Sequence, residues 1–157
     1  MTKYNIREVT EKKAAYRTVV NPALMEELKG KILNIILIQK KYKDKDYSAK
    51  RLAEDLCTNT RYISAVVNMQ FHKNYSSFVN QFRIEEAMSK LVDKNLPDLS
   101  MEDIGLMVGF ANRQSFYAAF YKVTGMTPRE YRLKYSTMSP EERKRLKAKK
   151  KSGTSDE

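Results

Sequence analysis

The chain has 157 residues, enough for one ordinary domain or two very small ones sharing a core, and its 30 Lys and Arg against 19 Asp and Glu give a net charge of +11. A single Cys excludes an intramolecular disulfide and, with a single His, leaves no ligand set for a structural zinc. The longest apolar run, Ile35 to Ile38, is too short to span a bilayer, and the scarcity of Gly (5) and Pro (4) favours helix.

Residues 1–20 are polar and weakly patterned and read as an arm or tether; the opening MTKYNIREVT has no signal-peptide pattern, so a cytoplasmic protein without a membrane anchor is expected. Asn21-Pro22 then offers an N-cap followed by proline at the first helical position. Leu24, Leu28, Ile32, Ile35 and Ile36 follow at helical spacing and predict a first helix to about Lys41, closed by the lysine-rich stretch 40–46. A short helix is expected after Ser48 with Leu52, Ala53 and Leu56 inward, and a second after Asn59 burying Ile63, Val66 and Val67. Asn74 can cap a longer helix of roughly 20 residues to about Asp93, with Phe78, Val79, Phe82, Met88, Leu91 and Val92 on its buried side.

The loop at 94–99 leads into Ser100-x-x-Asp103, a variant capping box. Another short helix pair follows, with Ile104, Val108, Phe116 and Phe120 as core and Gly109 and Gly125 where helices must stop. Thr127-Pro128-x-Glu130 is a full capping box that starts a last core helix through Tyr131 and Leu133. Ser139-Pro140-x-Glu142 repeats that start signal for a basic tail helix, and the final SGTSDE reads as disordered. No strand-like alternation competes, so the fold class is all-α. The expected divisions are an arm at 1–20, a first subdomain at 21–93, a second at 94–138 and a tail at 139–157.

Two stretches share one layout about 53 residues apart: LAEDLCTNTRYISAVVNMQF (52–71) and IGLMVGFANRQSFYAAFYKV (104–123). Each reads as a short helix, a tight turn and a second helix with an outer polar side, the arrangement that sets one helix into a DNA major groove. The charge is distributed to match. Residues 1–46, 47–138 and 139–157 carry +5, +3 and +3, so the centre is no general polycation, yet no Asp or Glu occurs from Leu56 to Ile84 or from Ile104 to Arg129. Those windows hold Arg61, Lys73 and Arg83, and Arg113, Lys122 and Arg129, bases that would release counterions on meeting phosphate. The longer helix, at about 30 Å, is of the order of one DNA turn, about 34 Å, which permits two such helices to enter successive grooves.

The segment 104–132, with Gly-Phe at 109–110, Phe116, Phe120, Gly125, Thr127-Pro128 and Tyr131-Arg132, resembles the signature of AraC-type bacterial transcription regulators. The first repeat is similar to the family's other half in Leu52-Ala53, in Tyr62-Ile63-Ser64, and in Arg83 and Ala87 of the linker helix. The resemblance covers about residues 47–135, and 22–46 looks like the family's extra leading helix. It implies two helix–turn–helix subdomains, each a homeodomain-like bundle, joined by a long linker helix and acting on promoter or operator DNA. Double-stranded DNA is the implied partner, with RNA polymerase a further candidate. The family usually reads asymmetric sites as a monomeric module, so no dimer is assumed.

Carried over by position, the resemblance puts Arg61, Ser64, Ala65 and Asn68 toward bases in the first unit, and Arg113, Gln114, Tyr117, Ala118 and Tyr121 in the second. Arg can give two hydrogen bonds to guanine O6 and N7, and Gln can pair with adenine N6 and N7. Thr60 and Ser115, at helix starts, and Lys73 and Lys122 suit phosphate. The chain departs from the family at Cys57 and His72, where glycine is usual. Negative φ would accommodate them, so these turns are expected to differ slightly. Each residue also has a plainer reading: Arg61 and Arg113 as exposed or ion-paired, Tyr117 as packing, Arg83 as a structural partner of Glu86 or a neighbouring helix, Cys57 as a small buried hydrophobe, His72 as a loop residue, and the tail as a solvated helix rather than a phosphate clamp. No catalytic constellation, metal site or cofactor loop is present, and an enzyme is not expected. Two other functions compete with transcription control: a DNA-architectural or recombination accessory factor that bends DNA, and an interaction module docking through the apolar Ile32–Ile38 stretch, which a bare face there would favour.

Overall fold

The computed structural model of the chain describes residues 21–96 and 99–136, together with 141, 142, 144, 145, 148 and 149 of the tail, which are helical and exposed. The expected arm over 1–20 and the rest of the tail lie outside the described residues. Ahead of that tail segment lie seven α-helices, and the described residues hold no strand: α1 (Pro22–Leu33), α2 (Ala49–Asp55), α3 (Thr60–Phe71), α4 (Tyr75–Leu91), α5 (Met101–Val108), α6 (Arg113–Thr124) and α7 (Pro128–Tyr135). None is long and apolar enough to cross a membrane.

Local chemistry starts these helices twice over. Ser48 and Ser100, Asn59 and Asn112, and Asn74 and Thr127 stand about 53 residues apart. In each case the side-chain oxygen accepts the N–H of the residue three positions on, at 2.8–3.2 Å. Each cap satisfies one of the donors a helix start leaves without a partner and is worth about 1 kcal/mol. Ser100 and Thr127 belong to complete capping boxes with Asp103 and Glu130. The stops repeat as well. Cys57 and Gly109 follow the first helix of each pair with φ of 53° and 109°, and His72 and Gly125 follow the second with 56° and 76°.

The chain divides into two compact units between Arg83 and Ile84, inside α4. This differs from the expected boundary at 93, because α4 gives Phe78 and Val79 to the first core and Ile84, Ala87 and Leu91 to the second. In the first unit, α1 supplies Leu28 and Ile32 and packs on α3, whose Ile63, Val66 and Val67 are fully buried alongside Leu52. α-Helical bonding ends at Leu33 rather than near Lys41. A π-helical segment, Asn34–Ile38, follows and is closed by the Gln39 N–H on the Asn34 carbonyl at 2.9 Å, and Lys40 at φ 56° separates it from a single 3-10 turn, Lys41–Lys43. Arg83 ties α4 to the turn that follows: Nε donates to the Tyr42 carbonyl and Nη2 to the Asp44 carbonyl. Its structural role therefore runs through main-chain acceptors, beyond the carboxylate pairing expected from the sequence.

The second unit is built on rings. Phe110, Phe116, Phe120, Tyr131 and Tyr135 form a chain with neighbouring centroids 4.5–5.8 Å apart. Tyr131 and Tyr135 lie four residues apart on the inner face of α7, so Leu133 is turned outward and is 79% exposed, contrary to the expectation that it joins the core. Arg132 mirrors Arg83, with Nε on the Leu91 carbonyl at 3.2 Å and Nη2 on the Leu99 carbonyl at 3.1 Å.

Candidate nucleic-acid interface

The second helix of each pair buries one side in its unit's core and leaves the other outward. In α3, Ile63, Val66 and Val67 face the core, leaving Thr60 and Arg61 exposed and Ser64 and Asn68 half-buried. Arg61, Ser64 and Asn68 fall at i, i+3 and i+7, so they form a single stripe. Ala65 does not join it. It is fully buried, and since by helical spacing it stands across α3 from Ile63, this helix is covered on two sides. The implied base contact at Ala65 is therefore corrected: its methyl group packs in the core of the first unit.

In α6, Phe116 and Phe120 hold the inner face, and Arg113, Gln114, Ser115, Ala118, Tyr121 and Lys122 are exposed. Tyr117 is half-buried, edge-on to Phe116 at 5.9 Å. The Arg113 guanidinium lies 4.8 Å from the Tyr117 ring centroid, with Nη2 3.4 Å from its hydroxyl oxygen. The two side chains thus make one stacked pair, and Tyr117 packs against both Phe116 and Arg113. Among the described residues neither Arg61, Arg113, Lys73 nor Lys122 has a carboxylate within 4 Å. Lys73 is half-buried just beyond the His72 stop.

Two further expectations are revised at the turns. Cys57 is exposed, not buried. Both Cys57 and His72 adopt positive φ, so these turns keep the left-handed shape found at Gly109 and Gly125 instead of relaxing to negative φ. At the end of α1, Ile32 and Ile36 are fully covered, while Leu37 and Ile38 remain 41% and 69% exposed.

One feature of the second unit had no signal in the sequence. A cavity of about 340 Å³ is lined by Ser100, Met101 and Glu102 at the start of α5, Arg113 and Tyr117 of α6, and Arg129 and Arg132 of α7. Arg129 was visible only as a base in an acid-free window. Its proximity to Arg113 depends on how α7 packs back on α6, which spacing alone does not give.

The model of the family described as a helix-turn-helix domain matches residues 52–134. The chain is 30% identical over 102 residues to the transcriptional regulatory protein YesN of Bacillus subtilis, a match covering 64% of this chain and 27% of that protein. It is 28% identical over 89 residues to the melibiose operon regulatory protein of Escherichia coli K12, covering 57% of this chain and 28% of the other. Among solved structures, the C-terminal domain of the two-component response regulator YesN from Fusobacterium nucleatum superposes with a TM-score of 0.57 at 27% identity, over 66% of this chain and 98% of that one. The chain spans less than a third of the length of these curated relatives. A family match across both helix pairs, on a fold that repeats its caps and stops in register, places the chain in the AraC-type family of helix-turn-helix DNA-binding domains.

Proposed function

We propose that this protein is a sequence-specific regulator of transcription that inserts α3 and α6 into successive major grooves of promoter or operator DNA. One observation carries the reading: both helices carry outward polar residues from the first turn on, inside windows that hold no carboxylate at all. Arg61, Ser64 and Asn68 read base edges from α3. Gln114 does so from α6, with Tyr117 beside it and Arg113, at the first turn, within reach of a base or a phosphate. Thr60, Lys73, Ser115 and Lys122 grip the backbone. The 17 residues of α4 make about 25 Å of helix, of the same order as one DNA turn. RNA polymerase is the partner on which a regulator bound at a promoter acts. Selection of the purified chain against random duplexes tests the reading: it predicts one enriched motif with two separated half-elements, and recovery of unenriched sequence overturns it.

A further inference from the structure

We propose that the cavity between α5, α6 and α7 is a receptor for a phosphate group, filled by one backbone phosphate when α6 is seated on DNA. The source of that phosphate rests on the function proposed above; the receptor itself does not.

Three arginines, Arg113, Arg129 and Arg132, line this cavity, with Glu102 the one acidic residue among its lining. None of the four forms an ion pair within 4 Å among the described residues. A cluster of like charges left unneutralised disfavours the empty protein and favours a polyvalent anion, and guanidinium is the cation whose planar fork fits phosphate oxygens.

Two of the three donors are in place beforehand. Arg132 is held by the Leu91 and Leu99 carbonyls through Nε and Nη2, which leaves Nη1 uncommitted. Arg113 is held over the Tyr117 ring. Arg129 is exposed and makes no hydrogen bond or ion pair among the described residues, so it can close on a ligand. The start of α5 adds to this. Its capping box uses the N–H groups of Ser100 and Asp103, while those of Met101 and Glu102, both at the cavity, have no partner within the helix.

The duplication points to DNA as the source. In the first unit, the place of Arg113 is taken by Thr60 and that of Gln114 by Arg61, each pair about 53 residues apart. In the function proposed above Thr60 grips the backbone and Arg61 begins the base stripe. By the same register Arg113 holds phosphate, and base reading in α6 begins at Gln114.

The test uses the full chain with arginine side-chain Nε–H signals followed by NMR. Inorganic phosphate, against chloride at equal ionic strength, is expected to move the Arg113, Arg129 and Arg132 signals together and saturably. Arg129→Gln should abolish the response, and Glu102→Gln should tighten it, a gain that a merely structural carboxylate would not produce. Identical titrations with phosphate and chloride overturn the receptor. On a selected duplex, Arg129→Gln should lower the slope of log affinity against log salt by about one unit without reordering base preferences. An unchanged slope while the wild type still selects its motif overturns the backbone source. A wild type that responds to phosphate but selects no motif supports the receptor and sinks the proposed function instead.

Discussion

Cys57 and Gly109 hold the same place in the two helix–turn–helix units, and both lie in the left-handed region. In each turn the next N–H reaches back five residues at 2.9 Å, Thr58 to the Ala53 carbonyl and Phe110 to the Gly105 carbonyl. Holding an L-residue there costs about 1–2 kcal/mol, against roughly 0.5–1 kcal/mol of extra chain entropy that glycine loses on folding. Cys57 is exposed and leaves no hole when removed. Cys57→Gly, and His72→Gly at the second stop, should each raise stability by about 0.5–1 kcal/mol, read as a higher urea midpoint at constant m. A lowered midpoint would refute the strain at these turns.

Gly105 has the opposite constraint. A Cβ built on it would stand 3.0 Å from Cγ and Cδ1 of Phe116, which is fully buried between Phe110, Tyr117 and Phe120 and has nowhere to move. Overpacking of this kind costs about 1–3 kcal/mol, more than the roughly 1 kcal/mol that alanine gains in helix propensity. Gly105→Ala should therefore lower stability by about 1 kcal/mol. The first unit places Ala53 and Ile63 at the corresponding positions, so adding Phe116→Ile should make the double variant less damaged than the sum of its parts, as a double-mutant cycle in urea would report.

These residues also show what a sequence reveals. Helix starts were legible at Ser48, Asn59, Asn74, Ser100 and Thr127 because the capping bond is local and only a few side chains make it. Gly109 and Gly125 announced their turns for the same reason. Cys57 and His72 did not, since nothing in a cysteine or histidine encodes a positive φ imposed by its neighbours. The outward-facing sets on α3 and α6 came from the family resemblance, position by position, and Ala65 was wrongly among them because its burial in the first core is a tertiary matter. The arginine cluster at the α5–α6–α7 cavity was hidden for that reason too.

Ala65 and Ala118 are counterparts about 53 residues apart, the first fully buried and the second exposed. A carboxylate should therefore act differently at each. Ala65→Glu buries a charge without a partner and should cost several kcal/mol, enough to unfold a marginal domain. Ala118→Glu should leave the melting temperature nearly unchanged while abolishing binding to the selected duplex, by setting a negative charge on the face of α6 proposed to meet DNA. Loss of stability in Ala118→Glu would show that this face is not free.

In the function proposed above Arg61 and Gln114 begin the base-reading stripes, and on that reading Arg61→Ala and Gln114→Ala should each lose about 1–3 kcal/mol on the preferred site and relax the choice at one base pair. Lys122→Ala should weaken all sequences alike and flatten the salt dependence. Competition binding against single-base variants separates the two patterns. Equal loss on every variant after Arg61→Ala would remove it from base reading.

Tyr75 and Tyr47 make the first unit sensitive to alkali. The Tyr75 hydroxyl donates to the Tyr47 carbonyl at 2.9 Å, and the Tyr47 hydroxyl donates to the Asp55 carboxylate. Burial pushes the Tyr75 phenol up to about 12. Burial first, and then the bond to Asp55, raises Tyr47 further. Below the unfolded value of about 10 both phenols are neutral in either state, and the stability they contribute is complete. Above it the unfolded chain releases protons that the folded chain still holds, so stability falls as the pH climbs from about 10 through 12. Tyr75→Phe loses one hydrogen bond at neutral pH but removes one titrating group, and its urea midpoint should decline less steeply over that interval than the wild type's. Parallel declines would mean that the buried phenols do not govern the alkaline transition.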